Sequence, residues 1–213
     1  MGQVPIKIAI DISGVPYDKI FIGSISSPTY SITKIEKEFS EHLKEFERSK
    51  WKGVKLDATD LERIIRFFDE RKIRMRSISI SQQDWVNYKR NYGEEAFFKE
   101  RLIAIYYFTL LRQMTFPESK QELKYDIVFC EESWMNINKA LDSCRRISNS
   151  FNRNFDFSVS NAKHTKLLKF ADYIAASHRK INAETLRNFN YFRTINISPD
   201  PKCFIELFKK YKK

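Results

Sequence analysis

The stretch Ile6-Lys7-Ile8-Ala9-Ile10-Asp11-Ile12-Ser13-Gly14 limits what this chain can become more than any other. It is an apolar run that carries one carboxylate near its end and breaks at a glycine. Alternation puts Ile6, Ile8 and Ile10 on one face and Lys7, Ala9 and Asp11 on the other, the pattern of a strand. In a sheet, Asp11 stands at the end of that strand, where a turn opens a crevice. An aspartate before Ser-Gly can simply start the turn. Enclosed at a crevice it can instead hold a metal ion, because a bare buried carboxylate is costly.

The segments that follow alternate between strand and helix periodicity. After the turn Val15-Pro16-Tyr17-Asp18, residues 19–26 (KIFIGSIS) read as a strand antiparallel to the first. Ser31 or Thr33 caps a helix to about Ser49, with Glu36 in capping-box register to Thr33 and Ile35, Phe39, Leu43 and Phe46 at helical spacing. A second helix runs from Asp57 or Thr59 to Arg71 on the stripe Leu61, Ile64, Ile65 and Phe68, and residues 73–80 (IRMRSISI) form a strand. The longest helix spans Glu94 to Met114; its aromatics Phe97, Phe98, Tyr106, Tyr107 and Phe108 read as core and not as base-stacking platforms. Strands at 125–129 and 155–159 enclose a helix from Ser133 or Asn136 to about Ser148. Helices at 165–177 and 183–194 follow, and a short one comes after Pro199 and Pro201. A hairpin followed by strands separated by helices predicts a mixed sheet flanked by helices, an α/β architecture. There is no internal repeat or low-complexity tract.

With 213 residues, the chain suffices for one well-buried core carrying a helical appendage. No apolar run approaches a bilayer span and no apolar signal segment opens the sequence, so the expectation is a cytoplasmic protein with no membrane partner. Cys130, Cys144 and Cys203, odd in number and without a CxxC pair, fit reduced thiols better than a disulfide frame or a zinc site. The formal charge is +11, and its placement is uneven: residues 139–213 hold 16 Lys/Arg against 6 Asp/Glu. A basic third of this kind either attracts a polyanion, with nucleic acid first, or keeps the protein in solution as a solvated face.

Against that basic background, isolated acids stand out. Glu131 and Glu132 end the 125–129 strand, which can pair in parallel beside the first. Asp172 flanks the apolar stripe Leu167, Leu168, Ala171, Ile174 and Ala175, so it either leans toward the sheet or pairs at the surface with Lys169 or His178. His42, His164 and His178 lack metal-ligand spacing, and no Walker loop, nucleophile elbow, dinucleotide-binding glycine set or zinc finger appears.

Asp-x-Ser-Gly on a first strand, acids closing a later strand and Ala-Asp on a late helix resemble the ribonuclease H-like superfamily. The nearest resemblance is to an uncharacterised family whose first strand ends Asp-Glu-Ser-Gly and whose late helix reads Leu-Gln-Leu-Ala-Asp. Here Asp11-Ile12-Ser13-Gly14 has Ile12 for the glutamate, and Leu168-Lys169-Phe170-Ala171-Asp172 has Lys169 and Phe170 for Gln-Leu. Ser160 and Lys163 stand near that family's Ser-Lys, and Lys52 or Lys55 resembles its lysine before the middle helix. The family closes its middle strand with an Asp, a place that Cys130, Glu131 or Glu132 could take.

The resemblance implies a ribonuclease H-like domain over 1–180, with 181–213 a C-terminal helical extension packed on it. It also implies two-metal phosphodiester hydrolysis of nucleic acid, using a pair of Mg²⁺ or Mn²⁺ ions. On that reading the catalytic acids are Asp11, Glu131, Glu132 and Asp172, with Asp11, Glu131 and Asp172 as metal ligands and Glu132 in reserve. Lys52, Lys55, Lys163 and Lys169 would bind substrate phosphate. The alternatives are a nucleic-acid-binding module that has lost its chemistry on the same fold, and an interaction subunit whose basic third docks an acidic protein.

Overall fold

In a computed structural model, residues 6–45, 52–93, 97–115, 124–150, 155–160, 165–196 and 199 are described. Six strands form one mixed sheet: β1 (Ile6–Ser13), β2 (Ile20–Pro28), β3 (Arg74–Ile80), β4 (Tyr125–Cys130), β5 (Phe155–Ser160) and β6 (Phe192–Ile195). Their order is β5-β4-β1-β2-β3-β6. β2 runs antiparallel to both β1 and β3, while β4 is parallel to β1 and to β5, and β6 is parallel to β3. The central position of β1 explains its near-continuous burial from Ile8 to Ser13.

Seven α-helices cover the two faces among the described residues. The face of Ile8, Ile10 and Ile12 packs against α3 (Gln82–Tyr92), α4 (Phe98–Met114) and α5 (Ile137–Ser150). The other face, with Ala9, Ile25 and Val128, packs against α1 (Thr29–His42), α2 (Ala58–Glu70) and α6 (Lys166–Lys180). The short α7 (Ala183–Arg187) leads into β6. Burial of the expected stripes is complete: Leu61, Ile64, Ile65 and Phe68 on α2, and Tyr106, Tyr107 and Phe108 on α4, are all inaccessible or nearly so. No helix among the described residues is long and apolar enough to cross a membrane.

Three elements differ from the sequence reading. α1 ends at His42; the remainder of the expected helix from Phe46 to Ser49 lies outside the described residues, as does the helix expected after Pro201. α3 had no apolar stripe to announce it, yet Ser81 and Asp84 cap it reciprocally, each side chain accepting from the other's backbone N–H. The helix expected over 183–194 is α7 followed by β6, because Phe192 and Ile195 are taken up by a sixth strand position beside β3. Long-range pairing overrides a helical pattern there.

Candidate metal centre

Asp11 lies near the end of β1 on the face that α6 covers, 5% exposed, with its Oδ1 accepting from the Ile12 N–H at 2.7 Å. Its cross-strand partner on β2 is Gly23. A methyl group at Gly23 would fall 2.3 Å from the Ala175 nitrogen and 2.4 Å from the Ala171 oxygen. The glycine therefore lets the α6 backbone settle directly on the sheet. Ala171 and Ala175, small residues on the helix face, meet it. This close approach carries Asp172 to the site.

Asp172 is fixed from its other side. The Gly53 N–H, in a 3₁₀ turn at Gly53–Lys55, donates to Asp172 Oδ2 at 2.6 Å. Gly53 too must lack a Cβ, which would stand 2.9 Å from the Asp172 carbonyl oxygen and 2.8 Å from Ala176. Lys180, one helix end further on, donates to the Val54 and Leu56 carbonyls and ties the same turn to α6.

The third wall comes from β4. Carrying its parallel register with β1 (Ala9 beside Val128, Ile10 beside Phe129) one pair further sets Cys130 beside Asp11. Ligand atoms of Asp11, Cys130 and Glu132 lie within 4.8 Å of one another. Glu131 is exposed, and its backbone N–H donates to the Ser160 carbonyl at 3.1 Å, extending the β4–β5 pairing. Of the two consecutive glutamates it is Glu132, not Glu131, that joins the cluster. Val128 and Cys130 share Asp11's face by the two-residue period of β4, and Glu132 follows just past the strand's end.

Crowded and buried, these acids resist ionisation. Burial raises the Asp11 carboxyl well above the usual carboxylate range, and the charges of Asp172 and Glu132 push it further. Burial lifts Glu132 to about 7. Asp172 is raised as well, mainly by burial, against the opposing Gly53 hydrogen bond and the charges of Lys52 and Lys169. Lys52 and Lys169 thus flank the cluster, Lys169 also lying 5.8 Å from the Tyr173 ring centre. Lys55 is exposed in the 3₁₀ turn. Lys163 and His164 lie outside the described residues. His178 sits apart, edge-on to Phe21.

Three mutually repelling carboxyl groups from separate elements suit a hard divalent cation, which would replace repulsion by attraction. The Cys130 thiol is a poor ligand for Mg²⁺ or Mn²⁺; it hydrogen-bonds Asp11 instead. The carboxyl groups of Asp11 and Glu132 could therefore hold a divalent ion, with the Asp172 charge close by.

No protein-family model matches the chain, and no curated protein matches it in sequence. Its fold does match solved structures. A chain of the PCNA–RNase HII complex from Archaeoglobus fulgidus superposes with a TM-score of 0.52 at 14% identity, covering 97% of this chain and 88% of that one. Bst-RNase HIII in complex with Mn²⁺ gives 0.53 at 15% identity. A glutamine-to-alanine mutant of Bst-RNase HIII gives 0.52 at 13%. Each RNase HIII match covers 87% of this chain and 54% of the other, so the chain spans about half their length. The fold is ribonuclease H-like.

Proposed function

We propose that this chain is a divalent-metal-dependent phosphodiester hydrolase acting on nucleic acid, with Asp11, Glu132 and Asp172 as its metal ligands and Mg²⁺ or Mn²⁺, two ions in the active form, as its cofactor. The observation that carries the reading is the meeting of Asp11 and Glu132, with Cys130, within 4.8 Å, and Asp172 on α6 near enough for its charge to act on both acids. The fold it shares with RNase HII and RNase HIII, one of the latter solved with Mn²⁺, supports it.

Bound cations would supply an activated water and steady the leaving oxygen at neutral pH. The chain's own residues do the rest. Ile12 N–H and Gly53 N–H hold Asp11 and Asp172 in fixed orientation, so that binding a cation costs little reorganisation. Lys52 and Lys169 sit where they can bind phosphate oxygens beside the acids, and Lys55 extends the basic approach to substrate. Glu131 takes no part.

Cleavage of labelled DNA, RNA and RNA–DNA hybrid in Mn²⁺ tests the reading. The wild type is expected to cut at least one of them, and Asp11→Asn, Glu132→Gln and Asp172→Asn each to fall to background while remaining folded. A variant that cut at the wild-type rate would remove its residue from the mechanism. Cys130, standing beside Asp11 where a further carboxylate would complete the set, favours a second reading: a nucleic-acid-binding module without chemistry on the same fold. Binding without cleavage at saturating Mn²⁺ would establish that reading and overturn the hydrolase.

A further inference from the structure

Five large hydrophobic side chains are exposed among the described residues, and four of them gather where three segments meet. Val15 (60% exposed) and Tyr17 (44%) belong to the β1–β2 turn, Val86 (52%) to α3, and Phe97 (46%) to the residue just before α4. The Tyr17 ring centre lies 5.5 Å from that of the buried Trp85 and 6.4 Å from that of Phe98, the chain neighbours of Val86 and Phe97, which brings the three segments close together. Tyr17 and Phe97 both have left-handed backbone, φ 66° and 62°. Bulky L residues adopt that conformation at a cost, and such strain persists where the exposed side chain has a use.

Cations border both rings. Lys89 and Lys99 lie 5.8 and 5.9 Å from the Tyr17 ring centre, and Lys139 lies 5.1 Å from that of Phe97. Exposed aromatic rings with mobile ammonium groups over them are the chemistry that binds unpaired bases and their phosphates together, the lysines turning to phosphate as a base takes the ring. A duplex hides its base faces in its own stack, so it cannot use these rings. An acidic polypeptide would satisfy the lysines but leave the two rings idle.

Two short covalent links tie the surface to the acid cluster. Tyr17 comes six positions after Asp11, a span of at most about 22 Å. Lys139 comes seven positions after Glu132, and that connection is pinned to the first turn of α4 by the Asn136 N–H donating to Glu100 Oε1 at 2.9 Å.

We infer that the Tyr17–Phe97 surface binds single-stranded nucleic acid, stacking bases on the two rings and seating phosphates on Lys89, Lys99 and Lys139, and so leads an unpaired strand to the carboxylate cluster. The last clause rests on the hydrolase reading; the binding itself does not.

Fluorescence anisotropy of a labelled oligothymidylate, in EDTA so that nothing is cut, tests it against the same strand annealed to oligodeoxyadenylate. The wild-type protein is expected to prefer the single strand. Tyr17→Ala and Phe97→Gly should each weaken that binding by about five- to 150-fold, the range for one lost stacked base, and Tyr17→Phe should keep it. Phe97→Gly relieves the left-handed backbone, so it remains decisive even if Tyr17→Ala exposes Trp85 and unfolds. Equal affinity for strand and duplex, wild-type affinity in the folded Phe97→Gly protein, or displacement of the strand by polyglutamate as readily as by unlabelled strand would each overturn the inference. Absence of cleavage in Mn²⁺ with strand binding intact would sink the hydrolase alone. Cleavage intact with binding indifferent to Phe97 would sink this inference alone.

Discussion

Asp11 concentrates the site's energetics in one side chain. Held among other acids out of water, it destabilises the metal-free fold, and neutralising it should help folding while destroying metal binding. Asp11→Asn is expected to raise the melting temperature in EDTA by a few degrees, on the order of 1 kcal/mol for a chain of this size, and to abolish the further rise that Mn²⁺ gives the wild type. Differential scanning calorimetry with and without the ion would show both effects. Glu131 and Glu132 offer a sharper contrast. Glu132→Gln should weaken Mn²⁺ binding by at least about tenfold and Glu131→Gln should leave it unchanged, measured by isothermal titration. Sequence marked Asp11 because a lone acid in an apolar strand is conspicuous. It could not separate two adjacent glutamates, because which of them turns inward depends on where β4 ends and on its register with β1.

Among the elements, α6 decides whether there is a site at all. Its backbone rests on Gly23, and the turn at Gly53 closes on Asp172 from above. Gly23→Ala forces a methyl group against helix backbone that has no room to yield, so α6 must lift from the sheet and take Asp172 with it. The expected result is a loss of about 1–3 kcal/mol of stability together with weakened Mn²⁺ affinity, seen by thermal melts and calorimetric titration. A stability loss with unchanged affinity would mean that Asp172 is not a ligand. Periodicity announced α2, α4 and α6, each with an apolar stripe, and assigned Tyr106, Tyr107 and Phe108 of α4 to the core, where they lie. It failed for α3, whose polar sequence shows only a capping box, and for β6, whose apolar residues satisfy either period until β3 supplies an edge. Phe97, which the sequence placed with the core aromatics of α4, stands instead just before the first turn of that helix with left-handed backbone and is 46% exposed.

At the level of the whole molecule, pH and salt read out the charges collectively. Glu132 has a folded pKa raised from 4.5 to about 7. The metal-free fold therefore binds a proton more tightly than the unfolded chain, and this contribution to stability, full below about pH 4.5, is lost as pH rises through 7. His178 acts oppositely: burial lowers it from 6.5 to about 4, so the unfolded chain takes up a proton first and stability drops as pH falls from 6.5 to 4. The two windows overlap and offset each other. Glu132→Gln should consequently steepen the acid-side loss of stability between about pH 6.5 and pH 4 in EDTA, measured by urea unfolding. Mn²⁺ must displace the protons that burial holds on Glu132 and Asp11, so affinity should climb by at least about tenfold per pH unit below 7. Salt should weaken oligothymidylate binding with a slope near −2 in log K against log salt, about −0.7 for each of Lys89, Lys99 and Lys139.

By itself the sequence determined what is local: the strand and helix periods, the faces that must be buried, the two isolated aspartates at Asp11 and Asp172, and a basic excess suited to a polyanion. Only the tertiary structure decided which of these groups meet. The inward glutamate, the thiol beside Asp11, the sixth strand and the aromatic surface around Tyr17 all depend on strand register, on two glycines that let α6 and its neighbouring turn close up, and on left-handed backbone at single residues. Period is written into consecutive residues, whereas a meeting between distant segments is settled by how closely their backbones can approach.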